Sequence, residues 1–114
     1  MRFTDGETVW ELSSFPDWVD WAQNRYEDDD VIRDYIIEGF DELWPVKIGN
    51  VEFSAYALLE KADPCYLSQM MDWEIEAFAD NAKCWLEQDG EFKIRGAYTE
   101  RRYWVTDESD NGED

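Results

Sequence analysis

Apolar positions along the chain change between a two-residue and a three-to-four-residue period, and turn or cap residues mark each change. Arg2-Phe3-Thr4 and Glu7-Thr8-Val9-Trp10 flank Asp5-Gly6, a dipeptide suited to a tight turn with positive φ angles, and predict a small hairpin. Ser13 or Ser14 ahead of Phe15-Pro16-Asp17 marks a helix start, with Pro16 in the first turn and Asp17 at the positive end of the helix dipole. The spacing of Trp18, Val19, Trp21, Ala22 and Tyr26 then predicts a helix from about Pro16 to Tyr26.

The acids Glu27 to Asp30 supply a cap for a second helix from about Val31 to Leu43, with Ile32, Tyr35, Ile36, Phe40 and Leu43 inward and Pro45 as its stop. Val46-Lys47-Ile48 and Val51-Glu52-Phe53 alternate around Gly49-Asn50, a second hairpin, and Ser54 caps a short helix through Leu59 or Lys61. Asp63-Pro64 opens the longest helical stretch, to about Gln88, with Ser68 to Asp72 as the place where it would break. Ile75, Phe78, Ala79, Ala82, Trp85 and Leu86 are its core stripe, and Asp89-Gly90 ends it. Glu91 to Ile94 and Tyr98 to Val105 read as two strands around Gly96. The pattern is α+β: two or three helices packed on a small, mainly antiparallel sheet built from hairpins.

Composition narrows this further. A chain of 114 residues makes one core, here expected over residues 1–106, while 107–114 hold five acids and no large apolar group and read as a flexible acidic tail. Hydrophobic residues at 44% and aromatics at 17% exclude disorder for the body. With no His, triads that use it and the commonest zinc ligand are excluded. Cys65 and Cys84 lack the paired spacing of a zinc site and read as free thiols, which fits a cytoplasmic setting. No apolar run has the length of a signal peptide or a membrane span.

Charge changes the picture most. The chain holds 29 Asp and Glu against 10 Lys and Arg, a net charge of -19, far beyond the 2 to 8 or so that solubility needs. Such a surface repels nucleic acid and anionic membranes, so direct binding to either is not expected. Residues 1–90 carry -16, whereas 91–106 carry +2 through Lys93, Arg95, Arg101 and Arg102. Asp34, Glu38, Asp41 and Glu42 on the second helix form one stripe, and Asp72, Glu76 and Asp80 on the long helix form another. Like charges at this spacing repel by about 0.2 to 0.5 kcal/mol per pair, a cost that interleaved Lys would remove.

Each feature also has an ordinary reading. An acidic helix stripe is most often a solvated face, and a salt-loving host would select acidity throughout. Asp28, Asp29, Asp30 and Asp34 read as capping and solvated charge before they read as a calcium or magnesium site, because the EF-hand order with its central Gly is absent. Paired acids at glycosidase spacing carry no specificity in a chain with this many. Most of the seven Trp belong to packing; Trp18, Trp44 and Trp73 are the candidates for exposed anchors beside acids. Cys65, Tyr66, Met70 and Met71 read as core or core margin.

The segment Ile48-Gly49-Asn50-Val51-Glu52-Phe53-Ser54-Ala55, followed by Leu58-Leu59-Glu60-Lys61-Ala62-Asp63-Pro64, resembles a hairpin, short-helix and Asp-Pro pattern of small uncharacterised phage proteins. In size and acidity the chain is also similar to phage inhibitors that imitate DNA, among them anti-restriction and anti-CRISPR proteins. That similarity is compositional, so none of their functional residues transfers. The segment's likeness implies a phage or prophage origin rather than an activity, and the charge leads to the expectation of a non-enzymatic, cofactor-free inhibitor in the host cytoplasm that blocks the basic groove of a CRISPR-Cas effector or restriction enzyme. The residues expected to carry binding are Asp17, Asp20, Asp28, Asp29, Asp30, Asp34, Glu38, Asp41, Glu42, Asp72, Glu76 and Asp80, with Trp18, Trp44 and Trp73. The competing expectation is an interaction or assembly protein, homodimeric among other options, that works through an aromatic surface.

Overall fold

The computed structural model describes residues 1–96 and 98–106, so the expectation for the 107–114 tail lies outside the described residues. The elements follow one another as β1 (Arg2–Thr4), β2 (Val9–Glu11), α1 (Phe15–Asp28), α2 (Asp30–Leu43), β3 (Val46–Ile48), β4 (Val51–Phe53), α3 (Ala55–Ala62), α4 (Pro64–Asp89), β5 (Glu91–Arg95) and β6 (Glu100–Val105). This is the α+β arrangement that the hydrophobic pattern predicts. Strands β2-β1-β6-β5 form one antiparallel sheet, and β3-β4 stand apart as a two-stranded ribbon.

Local chemistry explains the element boundaries. Ser14 caps α1 through a capping box: its hydroxyl accepts from the Asp17 N–H at 3.4 Å, while its own N–H donates to the Asp17 carboxylate at 3.3 Å. Asp63 caps α4 by accepting from the Tyr66 N–H at 3.2 Å, with Pro64 in the first turn. At the other end Gly90 adopts φ 78°, a left-handed conformation that a side chain would strain, and its N–H closes the last turn on the Leu86 carbonyl. Between these caps α4 is unbroken. The interruption expected at Ser68 to Asp72 is absent because Leu67, Met70, Met71 and Ile75 stay on the buried side at helical spacing across it.

Helices α2 and α4 pack on one face of the four-stranded sheet, α1 packs on both and meets that face through Trp18 and Trp21, and short α3 packs on α2 and α4. The core between layers is an aromatic cluster. Phe3 of β1 stacks on Trp18 at 5.2 Å and meets Trp21 edge-on at 5.2 Å, while Tyr103 of β6 meets Trp21 at 5.4 Å and stacks on Phe92 at 5.0 Å. Such pairs add about 0.5 to 1.5 kcal/mol each beyond their buried area.

Two expected contacts change in this arrangement. Tyr35 and Leu43, read as inward, are exposed, because the buried side of α2 is centred on Ile32, Ile36 and Phe40. Cys65 and Tyr66, read as core margin, also face solvent, and only Met70 and Met71 of that group are buried.

Candidate functional site

The acids that the sequence singles out fall into three groups in space. The first is spent inside the fold. Asp29 is only 7% exposed; one of its oxygens accepts from the Val31 N–H at 3.0 Å to cap α2, and the other accepts from Arg101 Nε at 2.8 Å. It therefore clamps the α1–α2 corner to β6, and its assignment to a partner surface is corrected: a buried, doubly bonded carboxylate is out of a partner's reach. Asp41 is half-buried and accepts from the Ser54 hydroxyl at 2.7 Å and the Tyr56 N–H at 3.0 Å, which docks the start of α3 on α2. That bonding removes Asp41 from the free stripe as well.

The second group is exposed but partnered. Asp17 is tied into the Ser14 capping box, and the bonds from Ser14 hold its carboxyl below its usual pKa. Asp30 pairs with Arg33 at 2.6 Å and Asp28 with Arg25 at 3.9 Å. The third group is Asp20, Asp34, Glu38, Glu42, Asp72, Glu76 and Asp80, all exposed and without an ion pair among the described residues.

These free acids stand in rows. Asp34, Glu38 and Glu42 run along the solvent side of α2, and Asp72, Glu76 and Asp80 run along one flank of the exposed back of α4. A groove of about 330 Å³ lies between α2 and α4, with Glu38, Glu42 and Glu74 on its walls and Tyr35 and Phe78 in its lining. Glu74 is absent from the sequence-derived set. Its signal was an acid at a core-margin position, beside Ile75 and four residues before Phe78, and burial pushes its carboxyl pKa up. A second groove, between β2 and α1, gathers Glu11, Asp17, Asp20 and Asp28.

Together α1, α2 and α4 carry 15 acids and three bases. Each of those bases, Arg25, Arg33 and Lys83, already has a carboxylate partner. The far side of the sheet differs. Strand alternation and register bring Arg2, Lys93, Arg95 and Arg102 onto the outer face with Glu11, Glu91 and Glu100. Arg2 pairs with Glu11 at 2.7 Å, and Arg102 pairs with Glu91 at 2.5 Å while lying 5.0 Å over the Trp104 ring. Arg101, grouped with these bases in sequence, instead turns to the helix side and Asp29. Among the described residues the negative charge is thus concentrated on the helical side and nearly balanced on the outer sheet face.

The aromatic candidates divide as well. Trp18 is 1% exposed and stacked on Phe3, so its reading as a surface anchor is corrected: its position three and four residues before Trp21 and Ala22 puts it at the centre of the α1 core stripe. Trp44 and Trp73 are 52% and 64% exposed. Trp44 borders an apolar groove of about 280 Å³ at the end of the molecule, which Phe40, Val46, Ala55, Leu58, Tyr66 and Met70 also line.

Among the described residues no group of three or more Cys, Asp or Glu is arranged to hold a metal ion, and no helix is long and apolar enough to cross a membrane. No family model, no curated protein and no solved structure matches this chain.

Proposed function

We propose that this chain is a non-enzymatic inhibitor that lays its acidic helical layer into the cationic nucleic-acid groove of another protein and occupies it in place of DNA. The observation that carries this reading is charge sorting: 12 of the 19 net negative charges lie on α1, α2 and α4, which together cover one face of the sheet. Evenly spread acidity would serve solubility equally well and would avoid the like-charge repulsion that these rows maintain.

Carboxylates four residues apart advance about 6 Å along a helix, coarser than the roughly 3.4 Å per phosphate of one DNA strand. Neighbouring rows compensate for this, because packed helices lie about 8 to 10 Å apart. Lys93, Arg95 and Arg102 stay on the outer sheet face, away from the rows. A partner of this chemistry is a host defence nuclease of the CRISPR-Cas or restriction class, met in the cytoplasm of a phage-infected cell.

The test is competition. Candidate nucleases are bound to a fluorescently labelled duplex, and the protein is titrated in at several salt concentrations while anisotropy is read. Displacement is expected, and it should weaken steeply from about 0.05 to 0.3 M salt as the charges are screened. Reversing Asp34, Glu38 and Glu42 together to Lys should reduce potency by at least about tenfold with the fold intact. Potency indifferent to both salt and charge reversal would remove the acidic layer from the mechanism.

A further inference from the structure

One end of the molecule contradicts the rest of its surface. Among the described residues, strands β3 and β4 pair only with each other, Val46 with Phe53 and Ile48 with Val51, so these four apolar side chains share one face of the ribbon. Ile48 is 69% exposed, and Val51 and Phe53 are exposed too. Through Val46 this face runs into the apolar groove beside Trp44, Leu58 and Tyr66, whose floor includes the buried Phe40, Ala55 and Met70. Taken over whole residues, the exposed parts of Trp44, Ile48, Val51, Phe53, Leu58 and Tyr66 come to roughly 700 Å², of which about 500 Å² is side chain. The side-chain part is at the upper end of the largest patch on a typical monomer, and the whole approaches the roughly 800 Å² that a standard interface takes from each partner. A two-stranded ribbon with three residues per strand is also marginal by itself and gains from being covered.

We infer that this face is the interface of a symmetric homodimer, with the ribbon and apolar groove of one copy against those of a second. Charge selects that occupant. Residues 44–71 carry three acids and two bases, a net -1, whereas the whole chain carries -19. Two copies meeting here bring only their near-neutral ends together and keep their acidic rows apart; contact through the acid-bearing faces of α2 and α4 would oppose rows of carboxylates. A strongly cationic partner gains nothing electrostatic at this end, and an apolar patch on an identical chain is self-complementary about a twofold axis. The acidic layer stays free in the dimer, so this inference stands independently of the inhibitor reading.

The test is sedimentation velocity with light scattering on the purified protein from about 1 to 200 µM, at about 0.05 and 0.5 M NaCl. The expected species has twice the 13.6 kDa chain mass. Its dissociation constant should fall roughly tenfold as salt screens the repulsion between the two bodies. This is opposite in sign to the salt response of groove binding, so failure of one proposal is distinguishable from failure of the other. Ile48→Asp and, separately, Leu58→Asp should each yield monomers with unchanged far-UV circular dichroism. A 13.6 kDa species across the whole range, or a dimer that survives both substitutions in folded protein, would overturn the inference.

Discussion

The Asp29–Arg101 clamp joins residues 72 positions apart and makes the sharpest stability prediction. Asp29→Ala removes two interactions at once. Loss of a helix cap costs about 1 kcal/mol. Stranding Arg101 would cost about 3 to 5 kcal/mol were the pair fully buried, but Arg101 is about a third exposed and rehydrates, which brings the figure to about 1 to 2 kcal/mol. The total of about 2 to 3 kcal/mol is a large share of a stability of roughly 5 to 15 kcal/mol, and lowers the melting temperature by about 10 °C. Asp29→Asn keeps a capping side chain and loses the charge, so it should cost only the pair contribution. A double-mutant cycle of Asp29→Asn with Arg101→Ala, read by urea unfolding, should give a coupling of about 1 to 2 kcal/mol. Coupling within about 0.3 kcal/mol of zero, or Asp29→Ala no more harmful than Asp28→Ala, would refute the clamp. Corrected for the folded fraction, partner binding should not change in either Asp29 variant.

Three further outcomes follow from burial. Trp18→Ala should cost about 3 to 5 kcal/mol by opening a cavity beside Phe3 and Trp21, whereas Trp73→Ala should stay within about 0.5 kcal/mol; urea titrations that fail to separate the two would place Trp18 outside the core. The Tyr103 hydroxyl is buried with no hydrogen-bond partner among the described residues, so Tyr103→Phe should leave stability unchanged or raise it by up to about 1 kcal/mol, and a loss of that size would reveal a bonded hydroxyl. Burial also pushes the Tyr103 phenol up to about 12 from 10, so the unfolded chain releases this proton first. The associated stability is whole below pH 10 and declines between pH 10 and about 12, by at most about 1.4 kcal/mol per pH unit. Alkaline unfolding monitored by circular dichroism should lose part of that slope in Tyr103→Phe, and an unaltered slope would contradict the assignment.

What the sequence determined by itself was local. Ser14, Asp63-Pro64, Gly49-Asn50 and Asp89-Gly90 act on backbone groups within three or four residues of themselves, so helix starts, turns and stops were readable along the chain. The acidic rows were readable for the same reason, since helical spacing alone aligns Asp34 with Glu38 and Asp72 with Glu76. Tertiary structure decided which of those acids are free. Asp29 and Asp41 look like their neighbours in sequence, but Arg101 and Ser54, brought alongside by folding, bind one and then the other. Trp18 has the same indole as Trp73, and the packing of α1 against β1 and the aromatic cluster buried it. Strand order and the solitary β3–β4 ribbon came from non-local pairing, whose energy depends on contacts that no short window contains. The sorting of charge to one side of the sheet, and the uncovered apolar end, emerged only when those contacts were made.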